Sequence, residues 1–225
     1  MDACALRALR ASAIGLAAFF ALIFLPAGTL NYWQGWVFFL TVSLLSVLVT
    51  IDTARRDKSL LASRLAMGPR AETRPRQKRL TALAKPLSLL AIVLIVLAHR
   101  FHLATVPAAI SLAGDALGIL GLGLYGWVVR ANPHAAAIIT VTPNQKLIAT
   151  GPYAIIRHPM YTGALLVILG MPLALGSYWG LLLVPAFATI LALRLLDEEK
   201  ALRTSLPGYT AYTHTTPYRL VPRIW

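Results

Sequence analysis

Six apolar stretches recur along the chain, at residues 11–25, 36–51, 87–98, 106–129, 160–175 and 181–193, separated by segments rich in arginine, proline or glycine. Runs of this kind predict helices in lipid, because about 20 uncharged residues cross the hydrocarbon layer and a water-soluble fold would have to expose them. The pattern therefore predicts an all-α integral membrane protein of about six transmembrane or re-entrant helices. The fifth and sixth stretches, of about sixteen and thirteen residues, fall short of an upright crossing and are expected to tilt or to form a partly re-entrant hairpin. Pro172 and Pro185 inside them predict kinks, which membrane helices tolerate when neighbours satisfy the freed carbonyls.

Two halves follow from the polar segments. Residues 1–100 are expected to form hydrophobic hairpins around a basic loop at 52–85, a solvated linker that touches lipid and carries Pro69 and Pro75. Residues 101–225 hold the remaining helices and nearly all the candidate chemistry. The fourth stretch carries Gly114, Gly118, Gly121, Gly123 and Gly126. Gly114 and Gly118, with Ala113 and Ala116, have the small-xxx-small spacing of close helix packing; Gly121 and Gly123 would alternatively let a ligand approach the backbone. From 132 to 153 the hydropathy drops and Pro133, Pro143 and Gly151-Pro152 break any helix, so a connector is expected there. It leads into Arg157-His158-Pro159, where Pro159 suits a first helical turn. Unpaired amides at that start, beside Arg157, are expected to form an anion site.

Composition supports the lipid reading: 58% of the 225 residues are hydrophobic and 13% charged, with mean hydropathy +0.69, against about 25% charged in soluble domains. A net charge of +13 raises the question of nucleic acid, but the placement of the 21 basic residues answers it. With a cytosolic N-terminus, only Arg100 faces outward, which satisfies the positive-inside rule. The charge is read as topology, with anionic lipid headgroups as partners, both termini cytosolic and no nucleic acid. Composition further suggests a bacterial inner membrane. Ala27-Gly28-Thr29 is a poor cleavage context, so the first stretch is expected to stay as a span. Cys4 is the only cysteine, so no disulfide, no thiolate cluster and no metal are expected.

The chemistry is concentrated in Gly151-Pro152-Tyr153, then Arg157-His158-Pro159-Met160-Tyr161-Thr162-Gly163, and later Arg194, Glu198-Glu199, Leu206-Pro207-Gly208-Tyr209 and Tyr218-Arg219. The order and spacing resemble the signature of the superfamily of isoprenylcysteine carboxyl methyltransferases and phospholipid methyltransferases, integral membrane enzymes. The likeness covers residues 132–225. It implies that 101–225 is a methyltransferase core with a cytosolic C-terminal cofactor site, that S-adenosylmethionine is the methyl donor, and that a lipophilic small molecule arrives from the membrane as acceptor. Carried over by position, Tyr153, Arg157, His158, Pro159, Tyr161, Gly163, Glu198 and Glu199 would line the cofactor site. The phospholipid branch's G-x-G corresponds to Gly121 and Gly123.

The residue types suit those roles. A carboxylate pair opposes the donor's ammonium, Arg157 or His158 its carboxylate, and tyrosine faces its sulfonium. A carboxylate acceptor such as an isoprenylcysteine needs orienting alone, by Arg194 or Arg219, with Glu199 at the reacting centre. An amine acceptor, phospholipid or small amine, must first lose a proton, and His158 or Glu199 are the bases at hand.

Structural readings compete at each position. Arg194 with Glu198, and Glu199 with Arg203, have i,i+4 spacing on a solvated helix end, and Tyr209, Tyr212 and Tyr218 read equally as interfacial anchors. A membrane reductase of the sterol type, dependent on NADPH, shares an acidic pair before a tyrosine-rich tail, but the compact R-H-P-x-Y-x-G favours the methyltransferase. A non-enzymatic membrane protein is the other rival. It predicts polar residues at the bilayer midplane, where only Asp115 approaches that description.

Overall fold

The computed structural model describes residues 3–65, 74–103, 105–134 and 146–225; Pro69, Arg70 and Pro143 lie outside the described residues. The described residues form helices and no strand: α1 Ala3–Ala27, α2 Trp33–Arg56, α3 Lys58–Leu65, α4 Pro75–Arg100, α5 Ala108–Ala131, α6 Pro159–Ala174, α7 Val184–Ser205 and α8 Tyr209–Thr215. Short 3-10 turns occupy Gly151–Ala154 and Trp179–Leu183. Five helical segments are long and apolar enough to cross a membrane: Arg10–Ala27, Trp33–Arg56, Pro75–Arg100, Ala108–Ala131 and Trp179–Ser205. The sixth, Pro159–Ala174, is a shorter apolar helix. The protein is an all-α integral membrane protein.

Local chemistry explains the boundaries. Gly28, at φ +68°, stops α1 in the left-handed region open to glycine, and its N–H closes back on the Phe24 carbonyl at 3.1 Å. Asp57 ends α2 and opens α3, its Oδ1 accepting the Ser59 and Leu60 amides at 2.9 Å each, as an N-cap does. Pro75 opens α4 at its first position, where no amide partner is needed.

Three expectations change. The 52–85 linker is helical at both of its described ends, in α3 and in the first turns of α4. The apolar run 87–98 is only the apolar part of a helix that begins twelve residues earlier. The sixth stretch is not short: its 3-10 turn runs into α7, giving a 27-residue segment whose polar last turns hid its length. Pro185 lies in the first turn of α7 and not in its interior, whereas Pro172 is inside α6.

One end of the bundle is tied together by aromatic packing. Ile23, Phe24 and Ala27 of α1, Phe38 of α2, Ile95 and Val96 of α4, and Leu175 after α6 form a buried core. Tyr32 sits in it, donating its hydroxyl to the Leu175 carbonyl at 2.6 Å and stacking on His99 at 4.2 Å. At the opposite, basic end, Asp52 of α2 receives Arg130 of α5 at 2.9 Å and Arg56 at 2.8 Å.

The tightest helix contact is between α5 and α6. Gly114 and Gly121 on α5 face Gly170 and Gly163 on α6. A Cβ on Gly121 would lie 2.5 Å from the Gly163 carbonyl oxygen, and one on Gly114 2.6 Å from that of Gly170. Backbones approach this closely only where both helices lack side chains. The working spacing is seven, Gly114 with Gly121, because Gly118 has open space where its Cβ would be. Gly121→Ala should therefore destabilise the protein by about 1–3 kcal/mol through overpacking, and Gly118→Ala should be neutral, as read by thermal unfolding in detergent.

Candidate functional site

The start of α6 is held by the C-terminal tail. The amides of Arg157 and His158 donate to the Tyr218 and Arg219 carbonyls at 2.9 Å each, and those of Tyr161 and Thr162 to the His158 carbonyl. The Thr162 hydroxyl donates to the Leu220 carbonyl at 2.8 Å. These four amides are thus occupied, and the expected anion cradle of unpaired amides beside Arg157 does not form from them.

Around this ladder Glu199 of α7 gathers three basic side chains. Arg157 Nε lies 2.8 Å from Glu199 Oε1, His158 Nε2 3.3 Å from the same oxygen, and Arg219 Nε 3.0 Å from Oε2. Arg157 also donates to the Thr216 and Pro217 carbonyls at 3.0 and 2.9 Å. The side chains of Arg157, His158 and Glu199 are about 95% buried, and Arg219 is 27% exposed. Its guanidinium also lies over the Trp225 ring at 5.3 Å. A buried acid survives only when paired and hydrogen-bonded; here Glu199 orders the tail as well as its own helix.

Glu198, one residue earlier, points elsewhere. Its Oε2 accepts the Tyr161 hydroxyl at 2.8 Å, and the Arg194 guanidinium stands beside that hydroxyl. Arg194 also meets the Thr81 hydroxyl of α4. Glu198 is only partly buried, so of the two glutamates it is the more accessible from outside. Asp197 is buried against α4, receiving Gln77 at 2.8 Å and Arg74 at 3.1 Å. Sequence reading gave Asp197, Gln77 and Arg74 no role; the signal was present in Asp197 as the first of three consecutive acids.

The remaining candidates separate from this cluster. Tyr153 has its hydroxyl on the Asn132 amide at 2.9 Å and its carbonyl on the Tyr212 hydroxyl at 2.6 Å, which ties the connector to α8. Burial pushes the Tyr212 hydroxyl up to about 12, so it stays a neutral donor at physiological pH. Tyr209 is raised further, by burial first; the two tyrosines pack with Leu206, Leu147 and Leu202 and act as tail anchors. Pro159 is the first residue of α6. Gly163 and Gly121 are spent on each other in the helix contact, and Gly123 is exposed with nothing near its missing Cβ. The structure therefore joins neither Gly121 nor Gly123 to the polar cluster.

An apolar cleft of about 590 Å³ abuts the same helix start. Ala11 of α1, Val49 of α2, Tyr125 of α5 and Met160 and Val167 of α6 are among its walls. Met160 is two residues beyond His158, so the cleft begins where the polar cluster ends. It adjoins a narrower groove of about 290 Å³ between α1 and α2, with Ser12, Ser46 and Thr50 common to both.

The sequence model of the phospholipid methyltransferase family matches residues 110–206. The match covers a little under half of the chain. Phospholipid methyltransferases are part of the integral membrane methyltransferase superfamily that also holds the isoprenylcysteine carboxyl enzymes, in agreement with the resemblance carried by the motifs. Among curated proteins, the cobalt-zinc-cadmium resistance protein CzcN of Cupriavidus metallidurans is 31% identical over 102 residues, 45% of this chain and 46% of that protein. The chain thus spans about half the length of that relative. The matched segment takes in α6 and α7, with Arg157, His158, Tyr161, Glu198 and Glu199, and most of α5. Arg219 and helices α1 to α4 lie outside it.

Removing the anion at the centre of the cluster leaves three basic groups facing one another. Glu199→Gln should cost about 3–5 kcal/mol of stability, as expected when one partner of a buried ion pair is lost. Lys200→Gln, at an exposed neighbour, should be silent in the same detergent melt.

Proposed function

We propose that the protein is a membrane methyltransferase that uses S-adenosylmethionine and methylates a lipophilic acceptor, most simply the carboxylate of an isoprenylcysteine-like molecule. The observation that carries this reading is the start of α6, where Tyr161 holds the partly buried acid Glu198 and the neighbouring Met160 lines an apolar cleft, within the segment matched by the methyltransferase family. The basic end of the bundle is taken to face the cytosol of a bacterial cell, with both termini on that side and anionic headgroups around it.

The residues fit the donor in chemical type. Glu198 Oε1 has no hydrogen-bond partner among the described residues, so it is the acceptor left to meet an ammonium, while Tyr161 and His158 supply aromatic faces beside it. Arg157 and Glu199 are engaged with each other and with the tail, and so act by holding His158 and Arg219 in place. S-adenosylmethionine, when bound, supplies an electrophilic methyl group; alignment and exclusion of water are what this chain adds. Gly121 and Gly163 enter this reading only as packing at the cleft's wall, and Gly123 has no part in it.

A carboxylate acceptor is favoured by the state of the two candidate bases. His158 and Glu199 are bonded to each other and Glu199 also to two arginines, whereas an amine needs a base to take its proton. A carboxylate needs only a cation to orient it, and Arg219 is the partly exposed one in the cluster. Arg194, held by Thr81 and beside Tyr161, is placed to orient Tyr161. The matched family's description, phospholipid methyltransferase, supports the second reading, methylation of a lipid amine. The metals named in the CzcN description play no part in either.

Calorimetric titration of S-adenosylmethionine into detergent-purified protein tests the cofactor. Saturable binding is expected, weakened by about tenfold or more in Glu198→Gln and His158→Ala, as for loss of a charged hydrogen bond of about 1.5–3 kcal/mol. Binding of NADPH instead, or of neither by folded protein, would overturn the reading. Transfer of labelled methyl to a farnesylcysteine analogue as base-labile ester is expected over transfer to phosphatidylethanolamine; the reverse result selects the amine.

A further inference from the structure

Gln77 lies on α4, outside the segment that matches the methyltransferase family, and is fully buried. Its amide nitrogen makes two bonds to α7, to Asp197 Oδ2 at 2.8 Å and to the Arg194 main-chain carbonyl at 3.0 Å. Arg74 donates to the other carboxylate oxygen of Asp197 at 3.1 Å, and the Thr81 hydroxyl meets the Arg194 guanidinium. Residues 74, 77 and 81 share one helix face by their spacing. One stripe of α4 therefore grips α7 from Arg194 to Asp197, immediately before the glutamate pair.

Successive side chains on a helix are separated by about 100°. Asp197 against α4, Glu198 against Tyr161 of α6, and Glu199 against Arg157 and His158 form one set of three directions, satisfied together by one rotation of α7. A change in that rotation takes Glu198 off Tyr161 and Glu199 off its arginines at once. Of the residues that fix Asp197, Gln77 is the fully buried one, and a neutral amide suits the place because it offers two N–H groups to two acceptors. We infer that Gln77 is a positioning residue: through Asp197 it sets the rotation and height at which α7 presents Glu198 and Glu199 to the start of α6.

The geometric claim stands on these contacts, and its consequence for cofactor affinity rests on the proposed function. Gln77→Glu keeps the shape but places a carboxylate against Asp197 and the Arg194 carbonyl. It should weaken S-adenosylmethionine binding by about tenfold, the loss expected when Glu198 is drawn away from a charge-assisted hydrogen bond to the ligand. It should also speed amide hydrogen exchange in residues 194–205 of the ligand-free protein in detergent. Adding Asp197→Asn restores a donor facing an acceptor, so the double variant should recover much of both properties.

Gln77→Met, which removes both donors without adding charge, carries the same expectation as Gln77→Glu should the latter not fold. Wild-type affinity and wild-type exchange in α7, in a variant that merely melts earlier, would reduce Gln77 to a packing residue and overturn the inference. No rescue by Asp197→Asn would count against it equally. If the wild-type protein binds no S-adenosylmethionine, the proposed function fails, while exchange in the ligand-free variants still decides the positioning claim.

Discussion

A carboxylate withdrawn from water at the end of a helix bundle needs cations and donors close by, and Glu199 finds three, each from a different direction. Arg157 and His158 come from the segment that opens α6, and Arg219 from the tail. Because the pairing is buried, none of the partners can be moved without leaving charge exposed to a poorly solvating environment. Several other contacts follow from it. The two-residue ladder of Arg157 and His158 with Tyr218 and Arg219 is held shut, the tail crosses over α6, and α8 is seated by its tyrosines on Leu147 and Leu202. Glu198 is then left as the acid with an open oxygen, at the rim of what Glu199 has fixed.

The second constraint is the close approach of α5 and α6. In lipid, helices gain little from burying apolar side chains and associate by van der Waals contact and hydrogen bonds, so facing glycines let this pair pack where larger residues would not. The contact sets the position of α6 and hence of Arg157, His158 and Tyr161 at its start. It also shapes the cleft, since Gly121 and Gly163 form part of the cleft's wall. One pair of missing side chains thus positions both the polar cluster and the apolar space beside it.

The helices were legible in the sequence because charge-free runs of this length have few other homes, and the family because Arg157-His158-Pro159 and Glu198-Glu199 keep their order. What the sequence concealed came from contacts between distant residues. The first turns of α4 looked like a linker because their charges outnumber their apolar residues, yet Gln77 among them is buried against α7. The pair Gly121 and Gly123 looked like a cofactor motif because spacing alone cannot tell which face of a helix a glycine lies on. Arg157 and Glu199 looked like separate ligands for opposite ends of a cofactor, and only the folded chain brings them to 2.8 Å of each other.

A division of labour follows from where the family match ends. On the proposed reading, the groups that would hold a methyl donor lie in residues 110–206 and Arg219, which would orient the acceptor, lies beyond them, whereas α1 and α2, outside that range, supply much of the cleft and all of the adjoining narrow groove. A lipid tail moving from bilayer into such a cleft passes from one apolar medium to another, so area burial contributes far less than it would from water. Under the same reading, discrimination among acceptors then comes from the shape of the cleft and from the acceptor's polar head. On the proposed reading, chemistry and selectivity reside in different halves of the chain, and α4 connects them: it packs against α1 in the aromatic core at one end and grips α7 through Asp197 at the other.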